Sequence, residues 1–133
     1  MSDSIDPRLQ RGIDTISELF PAGTPGMPRF EYPAEIQKHW NEFSVSTVMG
    51  DVWGRPQLDK KSRAMITIAA LTALGRTDQL QAYVAGALNL GLDREQISEI
   101  ILHMSIYAGF PAAIQAFGVA KTVFAEFDQV QDK

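Results

Sequence analysis

The 133-residue chain contains no cysteine and only two histidines. The first absence excludes disulfides, thiol nucleophiles, thiolate metal ligands and redox relays together. The histidines, His39 and His103, are far apart and lack metal-ligand spacing, so no metal site is expected. Positive charge is also in short supply. Twelve Lys and Arg against sixteen Asp and Glu leave a net charge of −4, with no basic stripe to neutralise phosphates, so no nucleic-acid partner is expected. No apolar run approaches the ~18 residues needed to span a bilayer, and no membrane partner is expected. MSDSIDPRLQ, at the N-terminus, has neither a basic n-region nor an apolar h-region, so no signal peptide and a cytoplasmic location are expected. No segment alternates with period two for long enough to argue a strand.

What the chain does have is helical patterning over a length that fits one domain, residues 1–133. Asp6-Pro7 reads as a helix start, with Asp as cap and Pro in the first turn. Leu9, Ile13, Ile16 and Phe20 then mark one face, and the helix ends near Pro21. The Pro- and Gly-rich stretch from Pro21 to Pro33 reads as a crossing loop. A second helix is expected over Ala34–Met49, with Ile36, Trp40, Phe43 and Thr47 inward; in His39-Trp40 the indole is expected to be the buried ring. A break over Gly50–Gln57 follows, because Arg55 precedes Pro56. Asp59 caps a third helix that Gly75 stops. This helix is apolar around most of its girth past Arg63, which places it at the centre of a domain or in a subunit interface. Thr77 or Asp78 opens a fourth helix ended by Gly91, with Leu80, Tyr83, Val84, Ala87 and Leu88 inward. Asp93 and Gln96 form a capping box for a fifth. Gly109 ends that helix, Phe110 anchors the corner, and Pro111 starts a sixth, whose tail VQDK is expected to fray. Six helices with short connections give an all-α bundle.

GDVWGRPQLD at Gly50–Asp59, ALGR at Ala73–Arg76, GALNLGL at Gly86–Leu92 and YAGFPAA at Tyr107–Ala113 follow one another in that order. In combination they resemble the carboxymuconolactone decarboxylase family over roughly Gly50 to Phe124; Arg11-Gly12 falls where that family tends to have such a pair. The resemblance implies an alkylhydroperoxidase D-like helical fold and a homo-oligomer, trimeric or hexameric. It also implies cofactor-free decarboxylation of a small anionic lactone such as 4-carboxymuconolactone, in the catabolism of aromatic compounds. Thiol peroxidase relatives on this fold use a Cys-x-x-Cys-x-x-x-His relay, whose cysteines fall here at Arg76 and Gln79 and whose histidine falls at Tyr83. The family's E-L-R-x-H-x-R-G-A string meets Tyr83 and Ala85 in place of its histidine and second arginine, and the relay glutamate position holds Ala64.

Against this background, six residues are candidates for chemistry. Arg55, in a loop, can grip a carboxylate through two parallel hydrogen bonds, with Trp53 walling the pocket; alternatively Arg55 pairs with Asp51 or Asp59 and Trp53 is core. Glu99, His103 and Tyr107 share one stripe of the fifth helix, where a carboxylate one turn before a histidine suits a proton donor and Tyr107 lies beside the substrate; alternatively His103 bonds a backbone carbonyl. Tyr83 can donate to an oxyanion or sit as a packed phenol. The expected function is a cofactor-independent lyase decarboxylating a small carboxylated lactone or keto acid. The alternative is a non-catalytic oligomeric small-molecule binder that has lost the relay residues.

Overall fold

The computed structural model describes residues 5–131, among which there are helices and no strand. Helix α1 spans Pro7–Leu19, and Asp6 caps it as expected, its carboxylate accepting from the Arg8 N–H at 2.9 Å. After the loop, α2 (Ala34–Ser44) runs without a break into a wide π-helical segment, Val45–Val52. Then come α3 (Lys60–Leu74), α4 (Thr77–Asn89), α5 (Arg94–Ala108) and α6 (Phe110–Gln131). The all-α six-helix bundle is therefore the fold. Glycines Gly75 and Gly91, with φ of 70° and 101°, end α3 and α4 where they were expected to. The Asp93–Gln96 box closes with bonds of 2.7 and 2.9 Å in its two directions. Val130 and Gln131 still belong to α6, and the fraying expected of residues 132–133 lies outside the described residues.

Five expectations change. The break at Gly50 comes later, because the π-helical turns carry the chain on to Val52, with the Trp53 N–H donating to the Val48 carbonyl at 2.9 Å. Of the two places expected for α3, the centre of the domain or a subunit interface, the centre is not its own. That place belongs to α4, which buries Leu80, Ala82, Val84, Ala85, Gly86 and Ala87, whereas α3 buries Ala64, Ile68 and Thr72 and leaves Ile66 and Leu74 exposed. Small side chains let α4 be approached from several sides, while the larger residues of α3 cannot all face one neighbour. The face of α1 is rotated: Gly12, Thr15 and Leu19 are its buried line, and Ile13 is exposed. Helix α2 buries none of its own residues, so Ile36, Trp40 and Phe43 are not an inward face. At the corner after α5, Phe110 is exposed and anchors nothing in this chain; Ala113 is the small buried residue there.

The reason α1 presents glycine is its crossing with the π-helical segment. A Cβ on Gly12 would run into the Val45 carbonyl, and one on Gly50 into the Arg8 carbonyl. Both helices must be bare for their backbones to meet. The crossing is clasped from outside: the Arg8 guanidinium donates to both Asp51 carboxylate oxygens, at 3.0 Å and 2.7 Å, and Arg11 approaches to 3.7 Å. Gly50 and Asp51 of the GDVW motif thus hold the segment that carries Trp53.

Candidate active site

Helix α4 brings Tyr83 to the wall of a cavity of about 320 Å³. The opposite wall is aromatic, made by Phe30 and Tyr32 of the long loop and Trp40 of α2. Val45, Val48 and Met49 of the π-helical segment form the floor; the wide turns set their phase, and such turns recur at functional sites. Polar groups are few: the Tyr83 and Tyr32 hydroxyls, the Trp40 indole N–H, the exposed Gln79 carboxamide one turn before Tyr83, and Ser44, whose hydroxyl donates to the Asn41 carbonyl at 3.4 Å. No charged residue lines the space.

The phenol is held by its neighbours. The Phe20 ring meets it edge-on at 5.5 Å and the Trp53 ring lies at 6.0 Å, tilted by 32°. Trp53, only 6% exposed, belongs to the hydrophobic core and backs the site from behind. Burial pushes the Tyr83 phenol above its ordinary value, so at neutral pH it is a neutral hydrogen-bond donor. The loop is tied down by α4: the Asn89 amide donates to the Leu19 carbonyl at 2.8 Å and to the Thr24 hydroxyl at 3.1 Å, and Gln81 donates to the Gly26 carbonyl at 2.8 Å. The aromatic residues of the loop and α2 carry a sequence signal, FEYP in a proline-rich stretch followed by HW, which periodicity alone did not connect to Tyr83.

The other candidates lie elsewhere. Arg55 is exposed in its loop and has no ion pair among the described residues. Asp51 is engaged with Arg8 and Arg11, and Arg63 organises the loop by donating to the Arg55 and Leu58 carbonyls at 3.3 and 3.0 Å. His103 and Glu99 line a separate, acidic hollow with Met65 and Asp93. The ring of His103 packs on that of Tyr107 at 5.0 Å, and no hydrogen bond or ion pair joins it to Glu99 among the described residues. Tyr107 is 74% exposed. The structure therefore brings together Tyr83 and Trp53, and separately Glu99, His103 and Tyr107; Arg55 lines neither hollow. Ala64 and Ala85, at the relay and arginine positions, are fully buried packing residues.

An all-helical bundle without cysteine, carrying an open apolar hollow with a neutral phenol on its wall, is the class of protein that the fold and the site define. The chain belongs to the carboxymuconolactone decarboxylase family, which residues 36–122 match. It is 35% identical to the 4-carboxymuconolactone decarboxylase of Acinetobacter baylyi over 129 residues, 96% of this chain and 95% of that one. It is 29% identical to an uncharacterised 15.0 kDa protein of Paracoccus denitrificans over 97% of this chain and 99% of the other. A shorter similarity, 35% over 60% of this chain and 56% of the other, links it to a nitrosuccinic acid decarboxylase of Metarhizium robertsii. No helix among the described residues is long and apolar enough to cross a membrane.

Proposed function

We propose that the protein is a carboxy-lyase of the 4-carboxymuconolactone decarboxylase type, acting without a cofactor on a small carboxylated lactone or related keto acid. The observation that carries this reading is the Tyr83 chamber, set in a chain similar end to end to a decarboxylase. Loss of CO₂ leaves an electron pair that must be delocalised onto a carbonyl oxygen, and a fixed donor facing that oxygen lowers the barrier. Tyr83 supplies such a donor, and Trp53 and Phe20 fix its ring. The apolar residues around the phenol lower the local dielectric and strengthen that bond.

Arg55 is assigned to drawing the carboxylate toward the fold; what supports this is its exposed guanidinium, free of ion pairs among the described residues and two positions after Trp53. Proton handling is assigned to His103, with Glu99 and Tyr107 beside it. These three act through assembly as a homo-oligomer, trimer or hexamer. Support comes from their position beside an apolar face with no partner in this chain: Leu102, Ile106, Phe110 and Ile114 are all more than half exposed.

Purified protein incubated with 4-carboxymuconolactone and a panel of β-keto acids is expected to release CO₂. Tyr83→Phe is expected to lower kcat by ~10²-fold, the scale for removing one oxyanion donor. No release above background across the panel, with ligand binding retained, would establish instead a non-catalytic binder, the reading that buried Ala64 and Ala85 favour.

A further inference from the structure

Of the polar side chains that line the apolar hollow, two share one helix face: Tyr83, mostly buried, and Gln79, at its exposed rim. The hydroxyl of Tyr83 and the carboxamide of Gln79 line the same wall, one helical turn apart on α4, and neither has a hydrogen-bond partner among the described residues. Their neighbours differ. Gln81 and Asn89 of the same helix spend their amides on the loop, donating to the Gly26 and Leu19 carbonyls at 2.8 Å in each case. Gln79 is thus the amide of α4 that faces the chamber uncommitted. Residues at i and i+4 lie above one another on a helix face, so both groups address the same region of space.

We propose that Gln79 is the second donor of an uncharged oxyanion site, which grips the carbonyl oxygen of an acid whose carboxyl group is β to that carbonyl. This rests on the decarboxylase reading and deepens it by naming what the chamber recognises. With no cation among the lining residues, the chamber is built for the electron sink and not for the carboxylate that leaves. In the step, the bond between the α-carbon and the carboxyl carbon breaks and CO₂ departs. The electron pair left on the α-carbon delocalises to the carbonyl oxygen, giving an enolate held by the Gln79 N–H and the Tyr83 O–H. A proton passed from water by way of His103, the group assigned to proton handling above, then adds to the α-carbon and restores the carbonyl. Two neutral donors suit this sequence, since they strengthen their hold as the oxygen gains charge and release the product when it becomes neutral again. A carboxylate at position 79 has the same size, but as an acceptor it would repel the enolate.

The test uses 4-nitrophenol as a stable enolate mimic, because its yellow phenolate form can be followed apart from its protonated form. The wild-type protein is expected to bind the phenolate in preference to the phenol. Gln79→Leu is expected to weaken phenolate binding by ~10- to 100-fold, the range for a hydrogen bond to a charged group, while leaving binding of the protonated form nearly unchanged. Gln79→Glu is expected to weaken the phenolate further and to lower kcat on any β-keto acid that is turned over. The double variant with Tyr83→Phe is expected to be non-additive, since both donors hold one oxygen. No phenolate preference in the wild type, equal effects on both forms in Gln79→Leu, or a rise in kcat in Gln79→Glu would each overturn the assignment. Phenolate preference that depends on Gln79 without CO₂ release from any acid would keep the donor pair and remove the decarboxylase reading alone.

Discussion

Thr72 shows how a single residue can be placed against its own chemistry. It is 2% exposed in α3, and its hydroxyl has no partner among the described residues. A buried hydroxyl without a bond forfeits its hydration for nothing. Thr72→Val is therefore expected to stabilise the fold by about 1 kcal/mol, read as a higher urea midpoint at unchanged m-value. Asp51 makes the opposite case. Hydrogen bonds from Arg8 hold its carboxyl below the ordinary carboxylate range. The folded chain thus keeps this group ionised at pH values where the unfolded chain, with a value of about 3.9, takes up a proton. The clasp contributes fully above the unfolded value and is lost as pH falls through the lowered folded one. Asp51→Asn is expected to lower stability at neutral pH and to flatten the acid limb of the stability–pH curve. An acid limb identical to wild type would show that the clasp carries none of the acid sensitivity.

At the level of elements, the crossing of α1 with the π-helical segment decides where the site can be. It sets the phase of Val48 and Met49 under the chamber and of Trp53 behind Tyr83. Gly12→Ala forces a Cβ against the Val45 carbonyl, a backbone atom that cannot swing aside. The expected cost is at least about 1–3 kcal/mol by the scale of overpacking. Because the strain falls on the floor of the chamber, KM for any turned-over acid should rise along with the loss of stability. A fully stable Gly12→Ala protein, judged by thermal melting, would contradict the close approach. The helix ends were legible from single residues: Asp6, Asp93 with Gln96, Gly75 and Gly91 each satisfy or terminate a local set of backbone groups, so their effect needs no distant partner. The π-helical register was not, since VSTVMGDV carries an apolar pattern that an ordinary helix would also carry, and the close approach at Gly12 and Gly50 joins residues far apart in sequence.

For the whole molecule, the informative surface is the apolar one on α5 and α6. Ile106 is 78% exposed and Ile114 71%, with Leu102 and Phe110 beside them. Exposed apolar residues spaced by four along α5 and the start of α6 are the feature on which the proposed assembly is tested. Ile106→Glu is expected to shift the protein to a smaller species in light scattering while leaving its helical content intact. An unchanged mass would place the contact between copies on another face. If His103 acts through that contact, the same variant should also lose turnover at protein concentrations where the wild type retains it.

Composition, capping residues and the order of four short motifs were enough to establish six helices, the absence of thiol chemistry and the family. Each of these is a local property, or a sum of local ones, and needs no knowledge of what lies across the fold. The choice of α4 over α3 as the central helix, the exposed aromatic flank of α2, and the separation of Tyr83 from Arg55 and His103 were settled only in three dimensions. Periodicity says which residues share a face but not what covers that face, and a chamber whose walls come from a loop, a π-helical turn and a helix dozens of residues apart exists only once the chain has closed around it.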